Sequence, residues 1–206
     1  MPTLTEPPKT YQRFAPERVL GRMSVEEWSA YVAASASKSH YVYGEVIEIA
    51  GASPEHNLLA MNFGRALGNA LEAAGSTCEV LGSDQKLYVA PGLYYFPDLC
   101  VACDDWLIDP QEALQNPALI VEVLSPTTEK DDRTDKFREY QQIASLRHYI
   151  LIDQSRVAVT HFEKLAQGLW AIVGDFRALE DTLSITLNEK TYSVSLAQIY
   201  RRVTFS

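Results

Sequence analysis

"NPALIVEVLSP" spans residues 116–126 and sets one ionisable side chain, Glu122, inside a run of branched apolar residues. The run is short, rich in Leu, Ile and Val, and bounded by Pro117 and Pro126, which reads as a buried strand rather than a helix. An isolated charge is so costly to bury that such a carboxylate is protonated, paired with a cation or bound to a metal. What meets Glu122 therefore bears on both fold and function.

The neighbouring stretches extend the pattern. "CEVLGSDQKLYVA" (78–90), "YYFPDLCVAC" (94–103) and "ALIVEVL" (118–124) read as three successive strands broken by Gly, Pro, Asp and Asn. Upstream, "GASPEHNLLAMNFGRALGNALEAAG" (51–75) reads as a helix capped by Ser53, with Pro54 at its first position and Gly75 to end it. Leu59, Phe63, Leu67, Ala70 and Ala74 form its apolar stripe. Before it, Ser24 and Glu27 in "SVEEWSAYVAA" have the spacing of a capping box, and "YGEVIEIAG" alternates Glu45, Ile47 and Ile49 against Val46 and Glu48 as a strand. Downstream, "TDKFREYQQIASLR" (134–147) is an amphipathic helix turning Phe137, Tyr140 and Ala144 inward, followed by strands "HYILID" and "VAVTHFEK". The tail offers two short strands and a last helix from near Ser195. This order predicts an α/β domain over residues 24–206, a sheet flanked by helices, preceded by a proline-rich arm over residues 1–23.

A chain of 206 residues with 47% hydrophobic content can bury a full core. No run approaches the roughly 18 apolar residues that span a membrane, and the N-terminus lacks a signal-type apolar core, so a cytoplasmic protein without membrane contact is expected. Cys78, Cys100 and Cys103 are too few for a disulfide scaffold, and one CxxC without a second falls short of a zinc site. The net charge of −9 opposes a broad electrostatic grip on nucleic acid. It leaves room for a local basic groove at Lys130, Arg133, Lys136 and Arg138. Trp28, Trp106 and Trp170 read as packing residues, Asp84 as a turn residue, and Gln85 and Lys86 as residues that could line a groove.

Asp98 and Glu122 lie on neighbouring expected strands, each bordered by apolar residues. Two converging carboxylates repel unless something positive lies between them, and a hard divalent cation such as Mg²⁺ takes one or two carboxylates and keeps its other positions for water and phosphate. Lys136, one helical turn before Tyr140 and one after Asp132, is the cation that could serve such a site. A bland alternative pairs Glu122 with Lys136 in a purely structural contact.

Together, "YGEVIEIAGASPEHNLL", "SDQKLYV", "YYFPDLCVAC" and "PALIVEVLSPTTEKDDRTDKFREYQQIASLRHYILID" resemble the Uma-two family within the PD-(D/E)XK, restriction-endonuclease-like superfamily, over roughly residues 22–200. The resemblance implies a central mixed β-sheet flanked by helices and a Mg²⁺- or Mn²⁺-dependent endonuclease acting on DNA as a homodimer. Carried over by position, Asp98 and Glu122 are metal ligands, the Val123 carbonyl completes the metal shell, and Lys136 in "DRTDK" replaces the motif lysine that Leu124 lacks. Glu45 matches a Gly-Glu acid, and Ser53 to His56 a Ser-x-x-His. His40 and Tyr43 stand where the family often has acids. Two other functions fit the same residues: a nucleic-acid- or protein-binding module that has lost catalysis, and a metal-free carboxylate-pair hydrolase.

Overall fold

The computed structural model describes Arg13, Phe14 and residues 18–205. Strand β1 (Val19–Arg22) leads into α1 (Val25–Ala34), which opens on the reciprocal capping box of Ser24 and Glu27. Strands β2 (Ser39–Val42) and β3 (Glu45–Glu48) form a hairpin before α2 (Pro54–Ala73), whose N-cap Ser53 accepts from the His56 N–H. Next come β4 (Cys78–Leu81), β5 (Leu87–Ala90), β6 (Leu93–Tyr95), β7 (Leu99–Cys103) and β8 (Leu119–Leu124). Two short helices, α3 (Glu129–Arg133) and α4 (Asp135–Tyr140), precede β9 (His148–Asp153), β10 (Val159–Lys164) and β11 (Trp170–Phe176). The hairpin β12 (Thr182–Leu187) and β13 (Lys190–Ser195) ends in α5 (Leu196–Ile199), with Ser195 as its N-cap.

The expected α/β layering is present, but as more than one sheet. A six-stranded mixed sheet runs in the order β11-β10-β9-β8-β7-β4, and a five-stranded antiparallel sheet runs β1-β3-β2-β6-β5. Within the mixed sheet β8 and β9 pair in parallel, which requires the crossover that carries α3 and α4. Alternation along β8 divides the core. Leu119, Val121 and Val123 pack with Leu59, Phe63 and Leu67 of α2 and with Leu183, Ile185 and Val194 of the terminal hairpin. Ile120 and Leu124 face the other way, against Leu87, Leu93 and Tyr95 of the five-stranded sheet and Tyr140 of α4. Glu122 lies between Ile120 and Leu124 on that second face.

Several expectations are corrected. The single strand expected over 78–90 ends at Leu81 and restarts at Leu87, and its halves enter different sheets. Lys86 does not line a groove; its ammonium binds Ser29 Oγ and the Gln111 carbonyl. The strand expected over 94–103 breaks between Tyr95 and Leu99, where Pro97 has no N–H for a ladder, and this break leaves Asp98 at the mouth of β7. The helix expected over 134–147 stops at Tyr140, so Ala144 is exposed. Strand β11 was not expected. Trp28 is fully buried, whereas Trp106 is 43% exposed. Cys78 and Cys103 stand opposite each other on β4 and β7 and form a disulfide, while Cys100 is free and buried. Of the expected arm, residues 1–12 and 15–17 lie outside the described residues. Phe14 is buried against the second core face, and residues 19–22 are β1. No helix of the described residues is long and apolar enough to cross a membrane.

A buried histidine pair ties β9, β10 and β12 together. His148 Nε2 lies 2.8 Å from the Thr186 carbonyl and therefore carries the proton, leaving its Nδ1 to accept from His161 Nε2–H at 3.0 Å. Burial lowers both imidazoles, His161 to about 4. Because the unfolded chain binds these protons near 6.5, stability is complete above that pH and falls as pH drops from 6.5 towards 4. The expected loss at His161 is on the order of 3 kcal/mol. Urea unfolding at neutral pH and at about pH 4.5 checks it: His161→Gln should shed part of the wild type's acid sensitivity, and an equal loss in both proteins would refute the assignment.

Candidate active site

The break before β7 and the middle of β8 bring Asp98 and Glu122 together. The Asp98 N–H donates to Glu122 Oε2 at 3.3 Å, and the Val123 N–H donates to Asp98 Oδ2 at 2.7 Å. In a strand the N–H and C=O of one residue point to the same side, so the Val123 carbonyl also faces the side on which β7 has already ended. His56, in the first turn of α2, donates from Nε2 to Asp98 Oδ1 at 2.9 Å.

Helices α3 and α4 close the site from the other side. Lys136 Nζ lies 2.7 Å from Glu122 Oε1 and 3.1 Å from Asp132 Oδ1, one turn earlier. The Tyr140 hydroxyl, one turn later, donates to the same Glu122 oxygen at 2.8 Å. Glu122, Asp132 and Lys136 are 3%, 2% and 6% exposed, so this charge cluster is almost fully desolvated. Burial pushes the Glu122 carboxyl up to about 8 even with Lys136 beside it, and raises Asp132 as well. Burial opposes the charge on Lys136, but Asp132 and Glu122 outweigh it and hold the ammonium above its usual range. Burial likewise raises Tyr140, which stays a hydroxyl donor.

Asp98, Glu122, Asp132 and Lys136 line a cavity of about 690 Å³, whose wall also includes Ser53, His56, Ser125, Thr128 and Gln154. Asp98, Glu122 and Lys136 are thus brought together. Glu45 is not. It sits at the start of β3, beside Arg22 at 3.6 Å with a 39% exposed side chain, and it does not line the cavity. Glu48, at the other end of β3, is among the residues around the cavity. The expected basic cluster is dispersed: Arg133 pairs with Glu129, Arg138 with Asp135, Lys136 is inside and Lys130 is exposed. His40 is buried and accepts from the Phe96 N–H, whereas Tyr43 is 38% exposed. Tyr140 was legible as the residue one turn beyond Lys136, but its bond to Glu122 was not.

Among known proteins, the Uma2 family, described as "Putative restriction endonuclease", matches residues 25–195. The chain belongs to the Uma2 family. The uncharacterized protein sll1609 of Synechocystis sp. is 37% identical over 141 residues, 67% of this chain and 78% of that protein. A second protein of the same organism, slr1290, is 29% identical over 192 residues, 93% and 98% of the two chains. The crystal structure of "a putative nuclease belonging to DUF820" from Anabaena variabilis matches with a TM-score of 0.63 at 13% identity, over 81% of this chain and 91% of that one. At that identity the likeness is one of fold, and the fold of this Uma2 chain is restriction-endonuclease-like.

The cluster sets a stability test. Lys136→Met would leave Glu122 and Asp132 desolvated without their ammonium, which should cost about 3–5 kcal/mol. Adding Glu122→Leu should recover much of that loss, because an apolar contact replaces the stranded charge. Urea unfolding of the single and double variants measures both. A single variant within about 1 kcal/mol of wild type would mean that the buried pair is not formed.

Proposed function

We propose that this Uma2 chain is a divalent-cation-dependent endonuclease that hydrolyses DNA phosphodiester bonds with water as the nucleophile. The observation that carries this reading is the convergence of Asp98 and Glu122 from two strands onto a cavity in which three carboxylates face one ammonium. With those groups ionised the cluster is short of two positive charges. Burial raises the Glu122 carboxyl to about 8 and raises Asp132 as well, the direction expected of an acidic site short of counter-charge.

The donors present suit a hard ion that keeps much of its hydration. Asp98, Glu122 and the Val123 carbonyl would hold Mg²⁺ or Mn²⁺ with water completing the shell, since among the described residues no three or more His, Cys, Asp or Glu side chains are placed to hold an ion by themselves. Such an ion, when bound, stabilises phosphoryl charge and acidifies a coordinated water. The protein's own groups do the rest. Asp98 is oriented by His56 and the Val123 N–H, and Glu122 by Tyr140 and Lys136. Lys136 keeps its proton and offers positive charge towards a phosphate or an attacking water that enters the cavity.

One observation favours a second reading, a binding module without catalysis. The Lys136 ammonium is already engaged by Glu122 and Asp132, as in a structural ion pair. Incubation of single-stranded and duplex DNA with Mg²⁺ or Mn²⁺ separates the two. Cleavage abolished by EDTA and reduced at least about a hundredfold in Asp98→Ala and Glu122→Ala is expected, with Glu45→Ala within about twofold of wild type. Retained DNA binding without cleavage under any metal would select the binding module, and cleavage that survives both Ala variants would sink the site assignment.

A further inference from the structure

Arg13 lies more than a hundred residues from α3 and α4 in sequence, yet its side chain is only 10% exposed and its ion pairs are with the two helices that bear Asp132, Lys136 and Tyr140. Arg13 Nε and Nη2 donate to Asp131 Oδ1 and Oδ2 of α3 at 2.5 and 3.0 Å. Nη1 donates to both oxygens of Glu139 on α4, at 2.7 and 2.8 Å. The guanidinium therefore bridges α3 and α4.

That bridge spans a weak point. The helices are five and six residues long, neither has a side-chain N-cap bond, and the chain between them turns at Thr134 with φ −124° and ψ −89°. Helices this short have little stability of their own, so their mutual angle depends on tertiary contacts. The angle matters because Asp132 is on one helix and Lys136 and Tyr140 are on the other, and Lys136 must reach Asp132 and Glu122 together. Glu139 also accepts from the Tyr95 hydroxyl at 2.5 Å, and the Tyr95 ring stands 5.7 Å from Lys136 Nζ and 5.5 Å from the Tyr140 ring. A continuous chain of contacts thus runs from Arg13 through Glu139 and Tyr95 to the cluster on Glu122. Asp131 and Glu139 would moreover repel each other across the bend without the guanidinium between them.

We propose that Arg13 is a positioning residue of the active site: its two-pronged contact with Asp131 and Glu139 fixes the α3–α4 bend and thereby seats Lys136 on Glu122. The site is then incomplete without this residue from the N-terminal segment, although Arg13 does not line the cavity. The inference rests on the proposed roles of Glu122 and Lys136, and its test has one readout that needs no cleavage.

The test compares full-length wild type, Arg13→Ala and Arg13→Lys by amide hydrogen exchange and by metal-dependent DNA cleavage. In Arg13→Ala, exchange over residues 129–140 should rise at least about tenfold, the scale set by losing a hydrogen bond to a charged group, while β8 and β9 keep wild-type protection. Arg13→Lys restores the charge but not the fork, so it should fall between. If Arg13→Ala does not fold, the lysine variant against wild type carries the same comparison. In cleavage, kcat should fall with KM nearly unchanged, because the substituted residue lies outside the cavity. Unchanged exchange over 129–140 in a folded variant overturns the proposal, as does a rise spread evenly over the whole chain or a kcat equal to wild type. Wild-type protein that cuts no DNA would defeat the nuclease reading, and the exchange data would still decide whether Arg13 holds the bend.

Discussion

The contact between Lys136 and Glu122 is what the rest of the site depends on. Removing either ion from water costs several kcal/mol, and mutual attraction in the interior recovers this only when the remaining hydrogen-bonding capacity is filled. Here it is filled. Tyr140 and the Asp98 N–H take Glu122, and Asp132 takes Lys136. A well-packed apolar pair at the same positions would be as stable or more so. The presence of a desolvated ion pair on the central strand therefore contributes little to the case for stability and more to the case for chemistry.

The fold explains why the pair can exist. Strand β8 is buried on both faces, so a residue at its centre meets whatever lies against the sheet, and the parallel crossover to β9 lays α3 and α4 there. One turn of α4 separates Lys136 from Tyr140, and the bend at Thr134 leaves Asp132 one turn behind, so from a single short segment Lys136 and Tyr140 reach Glu122 while Asp132 reaches Lys136. The break at Pro97 does the equivalent for Asp98, freeing its N–H from the ladder to meet Glu122.

Local rules made much of this legible. The Ser24, Ser53 and Ser195 caps, the apolar runs of β8 and β9, and the helical spacing of Asp132, Lys136 and Tyr140 are all short-range features. Long-range partition was not legible: nothing within residues 78–90 indicates that β4 and β5 join different sheets, because both halves satisfy the same strand pattern. Strand alternation puts Glu45 on the face of Ile47, towards the β8 side of the core, and could not show that Glu45 sits at the end of β3 beside Arg22 and away from the cavity. The Cys78–Cys103 pairing, the His148–His161 pair and the reach of Arg13 to Asp131 and Glu139 depend on strand register or on contacts between distant segments, which sequence spacing does not encode.

The acidic balance of the chain bears on how such a site would meet a polyanion. Among the cavity-lining residues Arg18, Lys38 and Lys136 are cations, against Glu48, Asp98, Glu122 and Asp132, so the ionised lining carries one excess negative charge. Lys38 is moreover engaged by Ser83 and Asp84, and Arg18 by the Glu48 carbonyl. A surface of this kind gains little from the release of counterions that drives non-specific binding to nucleic acid, and its affinity should vary only weakly with salt. One divalent ion held by Asp98 and Glu122 would turn that excess from negative to positive at the one place where a phosphate must come. In a protein of net charge −9, the same carboxylates that make the unliganded cavity repel a polyanion would then make its attraction conditional on the cation.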